Sequence, residues 1–301
     1  MASLRSELLA RSAFPPGSTP IICAVSGGAD SLALLVLACA AGGSDRVTAV
    51  HVDHGLRDGS EAEAVAVAIA AARYGARFEA RRVELRAGPN LEARAREARR
   101  SVLPPDAMTG HTAEDSAETM LLNLVRGAGL DGLAGIRPGP TKPLLALRRS
   151  ETRALCAAEG LDWLEDPSNA DPSFRRNRVR HELLPLLDDI AARDVVAVLV
   201  RQAELLRADA DHLAADALVL DPTDALALAA APVALARRAI RRWLASDHPP
   251  DAATVERVLA VARGEGRACD IGGRRQVRRT AQRLRLVDLA FPPPSIGLGG
   301  R

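Results

Sequence analysis

The chain has 301 residues, a length typical of two domains, and 48% of them are apolar, which is enough for a substantial core and excludes a disordered or fibrous chain. Its net charge of +2 does not by itself indicate nucleic-acid binding, and two tryptophans, one tyrosine and four phenylalanines are too few for an RNA-binding domain of the RRM type. No apolar run is long enough to span a membrane, and Met1–Pro20 lacks the apolar core of a signal peptide. We therefore expect a cytoplasmic protein that does not contact a membrane.

The cysteines are scattered along the chain, and none belongs to a C-x-x-C pair. This spacing argues against a disulfide framework and against a structural zinc site. We expect four reduced thiols at Cys23, Cys39, Cys156 and Cys269.

Short apolar runs alternate with amphipathic segments through the first half of the chain. The runs predict strands over Ile21–Val25, Val47–Val52, Phe78–Leu85 and Ala107–Gly110. The segments between and after them predict helices over Leu32–Ala41, Glu61–Arg73, Leu91–Val102, Thr112–Val125 and Ser150–Gly160. This alternation predicts an α/β fold with a doubly wound, mostly parallel, Rossmann-like sheet.

The pattern becomes mainly helical after about residue 143. A long helical stretch is predicted from Asn177 to Ala215, with Pro185 as a break or a helix start, followed by helices near 231–245 and 252–263. The Val/Leu alternation over Gly272–Val287 predicts a hairpin. We predict a catalytic domain over residues 1–210 and a smaller, mainly helical and arginine-rich domain over 211–301 that ends in this hairpin.

The sharpest local signal is a loop between the first strand and its helix. Its residues are Ser26, Gly27, Gly28, Ala29, Asp30 and Ser31. Two glycines let the backbone approach a ligand closely, and the positive end of the following helix attracts anions, so the loop favours a polyphosphate. Asp30 would repel a bare phosphate and therefore indicates a bridging Mg²⁺. The alternative is a helix-capping turn, but a Walker A loop is excluded because the only lysine is Lys142.

Polar side chains also follow the second strand. His51 lies near the end of the predicted strand Val47–Val52, and Asp53, His54 and Arg57 follow it. Because ligands collect at the carboxyl ends of parallel strands, we expect these residues near the phosphate loop. The alternative is a turn in which the histidines only bind backbone groups.

A third polar segment, 110–119, opens a helix after the last strand of the first half. His111, Asp115 and Glu118 recur at spacings of four and three, which predicts that they share one helix face. Acidic residues in a first helical turn also pair with the helix dipole, which is the structural alternative. Three ionisable groups beside a phosphate loop favour a functional site.

Five blocks occur in a fixed order along the chain. They are SGGADS at 26–31, HVDHGLR at 51–57, GHTAEDSAET at 110–119, WLEDPSN at 163–169 and RNRVR at 176–180. Together they closely resemble the tRNA(Ile)-lysidine synthetase family, whereas the first block alone is similar to the wider PP-loop ATP pyrophosphatase superfamily. Glu114 departs from the family pattern, in which an aspartate is more frequent.

The resemblance implies a specific reaction. Members of this family use ATP and Mg²⁺ to adenylate the 2-carbonyl oxygen of the wobble cytidine in tRNA(Ile) with the CAU anticodon, and the ε-amine of free L-lysine then displaces AMP. The family is commonly dimeric, so the resemblance also implies a homodimer. Because the amine has a reference pKa of about 10.4, a side chain must accept its proton.

The resemblance also implies roles for individual residues. The nucleotide would be held by Ser26, Gly27, Gly28, Ala29, Asp30, Ser31, His51 and Asp53, with Asp30 as the metal ligand. The catalytic candidates are Asp30, His111, Asp115 and Glu118. The candidates for substrate binding are Glu114, Arg126, Arg176, Asn177 and Arg180. Which of His111, Asp115, Glu118 and the weaker candidate Glu114 accepts the amine proton stays open.

Seven arginines and one acidic residue lie between Arg267 and Arg285, which predicts an RNA-contacting surface in the second domain. Three other functions compete with lysidine formation: a PP-loop enzyme that transfers sulfur to tRNA, another adenylating ligase that forms an amide on a small molecule, and a nucleotide-sensing or RNA-binding module without catalysis. Unpaired cysteines argue against the first, arginine-rich sequence against the second, and the acids Asp30 and Asp115 against the third.

Overall fold

The computed structural model of the chain describes residues 3–53, 60–83, 91–246 and 249–289. The chain divides into two compact units, Met1–Leu206 and Arg207–Arg301. None of the described helices combines the length and the apolar character that crossing a membrane would require.

The first unit is built on a four-stranded parallel sheet. Its strands are β1 (Ile21–Ala24), β2 (Val47–Asp53), β3 (Arg77–Arg82) and β4 (Met108–Thr109), in the order β3-β2-β1-β4. Strand β1 lies between the other early strands and β4, with Ile21 opposite Val47 and Cys23 opposite Met108. The chain therefore reverses its direction of winding between β1 and β4, which is where doubly wound sheets hold their ligands. The predicted fold class is confirmed.

Ten helices accompany this sheet in the described part of the chain up to residue 216. They are α1 (Leu4–Ala10), α2 (Ala29–Ala40), α3 (Ser60–Arg73), α4 (Leu91–Val102), α5 (Ala113–Val125), α6 (Leu130–Leu133), α7 (Arg149–Ala158), α8 (Arg175–Arg178), α9 (Leu184–Ala191) and α10 (Val195–Asp216). Helix α2 is apolar on every side because it packs both against β1 and against α7, and its residues from Leu32 to Ala38 are buried. Helix α1 was not predicted, since only Leu8 of this short segment is buried.

The predicted stretch over 177–215 is helical for most of its length, and Pro185 marks a helix start, which is one of the two predicted roles. The chain runs from α8 through a π-helical turn at Val179–Leu183 into α9, where Pro185 lies in the first turn. A break that the sequence did not indicate comes at Ala192, which adopts a left-handed conformation with φ of 48°. Pro185 is tolerated because the first turn of a helix does not need the N–H that proline lacks.

The described part of the second unit begins with the end of α10 and a 3-10 turn at Ala217–Val219. The helices α11 (Ala225–Ala230), α12 (Val233–Leu244) and α13 (Ala252–Arg263) follow, and then an antiparallel sheet of β5 (Ala268–Gly272), β6 (Arg275–Thr280) and β7 (Arg283–Asp288). The predicted hairpin is confirmed as β6 and β7, and β5 adds a third strand that the sequence analysis missed. Ile240, Leu259 and Val277 lie in the core that joins these helices to the sheet.

Candidate active site at the carboxyl edge of the parallel sheet

The loop after β1 is shaped by its own serines. The Ser31 hydroxyl donates to the Gly28 carbonyl at 2.8 Å and accepts from the Ser26 N–H at 3.1 Å. Gly27 has φ of +88°, a left-handed conformation that glycine adopts without strain. Gly28 is the N-cap of α2, which begins three residues earlier than the sequence predicted. The loop thus presents the amino end of a helix to the crevice beside β1.

Two segments contact this loop, one at Gly110 and the other at Leu164. A Cβ atom on Gly110, directly after β4, would lie 2.5 Å from the backbone oxygen of Asp30, so only glycine fits there. On the other side, the Leu164 N–H donates to the Gly27 carbonyl at 3.0 Å. The 163–169 segment therefore contacts the phosphate loop, a contact that its sequence did not predict.

The acidic residues of α5 lie beside this loop. The helix begins at Ala113 after the N-cap Thr112, so His111 precedes the helix, and its expected place on one helix face with the two acids was wrong. Asp115 accepts the Thr112 N–H at 2.9 Å, as expected for a capping acid. Glu118, one turn further on, is fully buried.

Two arginines that follow the 163–169 segment neutralise these acids. Arg176 Nε lies 2.7 Å from Glu118 Oε2, and Arg180 Nε lies 2.7 Å from Glu118 Oε1. Arg176 also reaches Asp115 Oδ1 at 3.0 Å. A buried carboxylate is stable only when it is paired in this way.

A third arginine, Arg149 at the start of α7, joins the loop to the acids, and the sequence analysis missed it. Its guanidinium lies 3.4 Å from Asp30, 3.4 Å from Asp115 and 3.3 Å from Glu118. The Thr152 hydroxyl, one turn further along α7, also donates to Asp30. The three carboxylates and the guanidiniums of Arg149, Arg176 and Arg180 form what we call the charge cluster.

The carboxylates of the charge cluster differ in proton affinity. Burial raises the pKa of Asp30 above its usual value, although the Thr152 hydroxyl and Arg149 oppose the shift. Burial also acts to raise the pKa of Asp115, but Arg176 and Arg149 overcome it and hold the pKa below its usual value. Compared with an ordinary aspartate, the ionised form is therefore more favoured at Asp115 and less favoured at Asp30.

Other candidate residues have structural contacts of their own. The His51 ring is buried and binds the Val25 carbonyl at 3.0 Å through Nδ1, at the end of β1. Asp53 closes β2, and its carboxylate lies 3.9 Å from Arg82. Glu114 accepts from Arg148 Nε at 2.8 Å and from the Arg149 N–H at 2.9 Å, so it binds the start of α7.

Two candidate substrate residues lie elsewhere in the first unit. Asn177 is buried and donates to the carbonyls of Ser168 and Asp171, so it holds the 166–172 loop. Arg126 is exposed at the end of α5, about 16 Å along the helix axis from Asp115. The structure therefore does not bring Arg126 to the charge cluster. His54 and Arg57 lie outside the described residues.

The second unit presents a basic face on its antiparallel sheet. Arg278 of β6 pairs directly with Arg285 of β7, and both are exposed. Like charges directly opposite each other destabilise a sheet, and within the described residues neither guanidinium forms an ion pair. An anion such as a nucleic-acid phosphate would relieve this repulsion.

Comparisons with known proteins agree on both units. A PP-loop domain model matches residues 5–187, and a TilS substrate binding domain model matches residues 224–285. The tRNA(Ile)-lysidine synthase of Nocardia farcinica is 42% identical over 90% of this chain and 91% of its own, and that of Streptomyces coelicolor is 36% identical over 89% and 85%. Among solved structures, the U34-tRNA thiolase NcsA from Methanococcus maripaludis matches with a TM-score of 0.53 over 68% of this chain and 78% of its own, at 17% identity, which shows a shared fold.

Proposed function

The chain belongs to the tRNA(Ile)-lysidine synthase family, and from this premise we propose that it uses ATP to join L-lysine to the wobble cytidine of tRNA(Ile) with the CAU anticodon. One observation carries the proposal: Arg149 joins the phosphate loop, through Asp30, to the buried acids of α5. A single crevice thereby offers a place for a nucleotide and a place for an amine. We further propose that the protein works in the cytoplasm, where tRNA is used.

In the first half of the reaction, the cytidine 2-carbonyl oxygen attacks the α-phosphorus of ATP and pyrophosphate leaves. The amino end of α2 and the Ser26 hydroxyl are suited to hold the leaving pyrophosphate, because both offer hydrogen-bond donors to an anion. A cytidine in an anticodon loop can leave its stack for only a few kcal/mol, so the base can reach this crevice.

The residues around Asp30 fit a magnesium ion that arrives with ATP. Mg²⁺ is usually held by one or two carboxylates together with substrate phosphates and water. The Asp30 oxygens each accept one hydrogen bond, from Thr152 and Arg149, so each keeps a lone pair. Within the described residues no group of three or more metal-ligating side chains occurs, which is compatible with an ion that the nucleotide shares. When bound, the ion would offset the charge that grows on pyrophosphate.

In the second half, the lysine ε-amine attacks C2 of the base, and AMP leaves with the former carbonyl oxygen. Lysine is a zwitterion with an additional ammonium group, and the charge cluster contains both signs of charge. We propose that the substrate carboxylate binds Arg176 or Arg180 and that an ammonium group binds Asp115 or Glu118, replacing part of the existing ion pairs. A carboxylate of this cluster then receives the amine proton.

The tRNA would also contact the second unit, within the region matched by the TilS substrate binding domain. The opposed arginines of its sheet, Arg278 and Arg285, support this proposal because they lack acidic partners in the described chain. The homodimer that the family resemblance implies stays a prediction.

The principal alternative, sulfur transfer to tRNA, is not favoured by the cysteines. Cys23 and Cys156 are buried free thiols. Burial raises the pKa of Cys156 to about 12 and also raises that of Cys23. A thiol that stays protonated at neutral pH is a poor sulfur carrier.

The decisive experiment mixes the protein with ATP, Mg²⁺, radiolabelled L-lysine and unmodified tRNA(Ile) bearing the CAU anticodon. We expect label in the RNA, formed together with AMP and pyrophosphate. A parallel reaction replaces lysine with a sulfide donor, and heat-inactivated protein is the control. Label no higher than in that control would refute lysidine formation, and sulfur incorporation would establish the alternative.

A further inference from the structure

One face of α7 runs along the start of α2, where the phosphate loop ends. Three α7 residues at spacings of three and four share this face and contact the first two residues of α2. Arg149 Nε lies 3.4 Å from Asp30 Oδ2, and the Thr152 hydroxyl donates to Asp30 Oδ1. One turn further on, the Cys156 thiol donates to the Ala29 carbonyl at 3.3 Å. Helix α7 therefore holds both the backbone and the carboxylate at the start of α2.

The two partners of the Asp30 carboxylate differ in charge and in hydrogen-bond length. The contact from Arg149 at 3.4 Å is longer than an ordinary N–H···O hydrogen bond, and a cation on the same carboxylate would repel the guanidinium. The Thr152 hydroxyl is neutral, so it can keep donating to Asp30 while a cation is bound. Of the two partners, Thr152 is therefore the one suited to a metal-bound carboxylate.

The Thr152 hydroxyl has a second acceptor within reach, the Arg149 carbonyl at 2.9 Å in the preceding turn of α7. Threonine commonly makes this contact inside a helix. An ionised carboxylate has no proton to give, and the hydroxyl has only one. The proton therefore goes to the Asp30 carboxylate, because a charged acceptor forms the stronger hydrogen bond.

Burial makes this hydroxyl hard to replace. Thr152 is fully buried, whereas the Asp30 side chain is 26% exposed. A ligand can thus reach Asp30 from solvent, while the donor that fixes its carboxylate lies out of reach of water. A valine at position 152 would fill the same space without a donor, so no water could take the place of the hydroxyl.

Resting on the proposed function, in which Mg²⁺ arrives with ATP at Asp30, we propose that Thr152 is a positioning residue that holds Asp30 in its metal-binding orientation. Carboxylates that bind metal ions are generally held by hydrogen bonds from a second layer of groups, and the loss of one such group typically lowers metal affinity about 10- to 100-fold. Because Thr152 is fully buried, it acts through the carboxylate and not on the nucleotide itself.

The test measures how much Mg²⁺ strengthens nucleotide binding. The probe is α,β-methylene-ATP, which cannot release pyrophosphate, and calorimetry gives its dissociation constant in Mg²⁺ and in EDTA. We call the ratio of the two constants the Mg²⁺ enhancement. For Thr152→Val we expect the enhancement to fall about tenfold or more, while the affinity in EDTA stays at the wild-type value. Thr152→Ser keeps the hydroxyl and should restore the enhancement.

A matched control separates this role from a purely structural one. Thr254 of α13 is also buried, and its hydroxyl accepts from Arg257 at 2.8 Å in the second unit. Thr254→Val should therefore lower the free energy of unfolding without changing the Mg²⁺ enhancement. If Thr152→Val does not fold, Thr152→Ala removes the same hydroxyl and takes its place. A wild-type enhancement in these Thr152 variants, or an equal loss of affinity in Mg²⁺ and in EDTA, would overturn the inference.

The failure of this inference can be told apart from the failure of the proposed function. If wild-type protein transfers no lysine to tRNA(Ile), the proposed function fails, and the Mg²⁺ enhancement is still measured with the nucleotide alone. If lysine transfer succeeds while Thr152→Val keeps the full enhancement, only the positioning role fails. A wild-type protein that binds the nucleotide equally well in Mg²⁺ and in EDTA would also overturn the positioning role.

Discussion

The arginines of the two units are used in opposite ways. In the first unit, Arg176 and Arg180 are largely buried and each lies 2.7 Å from an oxygen of Glu118. In the second unit, Arg278 and Arg285 are exposed and face each other across two strands. Arginine-rich segments therefore differ in role according to the acidic residues near them. Where carboxylates lie close by, the arginines form buried ion pairs, and where they do not, the arginines leave an exposed positive surface that can bind an anion.

The same contrast appears within five residues of the first unit, 176–180. Arg176 and Arg180 turn inward, whereas Arg178 is exposed and pairs with Glu182 one turn away on the surface. Helical spacing separates the two sets because residues four apart share a face and residues two apart do not. The arginines of the block at 176–180 are thus divided between the charge cluster and the solvent-exposed surface.

The largest expected effect separates the roles of the two units. Asp30→Ala removes the carboxylate that the phosphate loop contributes to the charge cluster, so we expect pyrophosphate release to fall at least a thousandfold, in the range lost when a principal catalytic group is removed. Affinity for tRNA should stay nearly unchanged, because the basic face of the second unit is intact. Pyrophosphate release and filter binding would be measured on the same preparation, and unchanged turnover would remove Asp30 from the catalytic set.

The second prediction compares a buried and an exposed ion pair. Glu118→Gln leaves Arg176 and Arg180 without their shared carboxylate, so we expect the free energy of unfolding to fall by about 3–5 kcal/mol. Glu182→Gln removes the exposed partner of Arg178 and should leave the free energy of unfolding unchanged within measurement error. Urea unfolding at pH 7 would measure both variants, and equal losses would contradict the difference in burial.

The third prediction concerns the residue that joins the loop to the acids. Arg149→Met should slow lysine transfer about a hundredfold, because one cation would no longer hold three carboxylates in place. Arg149→Lys keeps the charge but not the planar fork, and it should recover only part of the rate. Arg153→Met, at an exposed arginine on the same helix, is the control and should transfer lysine normally.

The fourth prediction tests the exposed face. Substitution of both Arg278 and Arg285 with alanine should weaken tRNA binding about tenfold and reduce the slope of log affinity against log salt by about 2, one unit for each lost phosphate contact. Arg237→Ala removes an exposed arginine that already pairs with Glu256, so it should leave the slope unchanged. The same slope in the double variant and the wild type would exclude this face from tRNA binding.

The smallest expected effect concerns how two aspartates change the free energy of unfolding as the pH varies. Because the folded-state pKa of Asp115 is lowered, the stability it contributes is present above its unfolded pKa of about 4 and is lost as the pH falls through the folded value. The folded-state pKa of Asp30 is raised instead, so the folded protein loses stability as the pH rises and Asp30 ionises. From pH 3 to pH 7, Asp115→Asn should therefore become more destabilising relative to the wild type, and Asp30→Asn less so. Parallel curves of unfolding free energy against pH would contradict the assignment.

Much of the site could be predicted because its residues stand in short local patterns. The loop at 26–31 follows an apolar strand, and the acids at 115 and 118 lie one turn apart on α5. Arg149 had no such pattern, since it is one arginine among many and reaches the site only because α7 packs against α2. The helix start at Ala113, which excludes His111 from α5, depends on the capping contact between Thr112 and Asp115.

The solitary lysine of this chain gives the experimenter a built-in reporter. Since Lys142 carries the one side-chain amine of the sequence, isotope-labelled lysine supplied during expression would give a single side-chain signal from the protein. Its partner Thr109 ends the strand beside the phosphate loop. Adding ATP should move that one resonance, so nucleotide binding could be followed without attaching any dye.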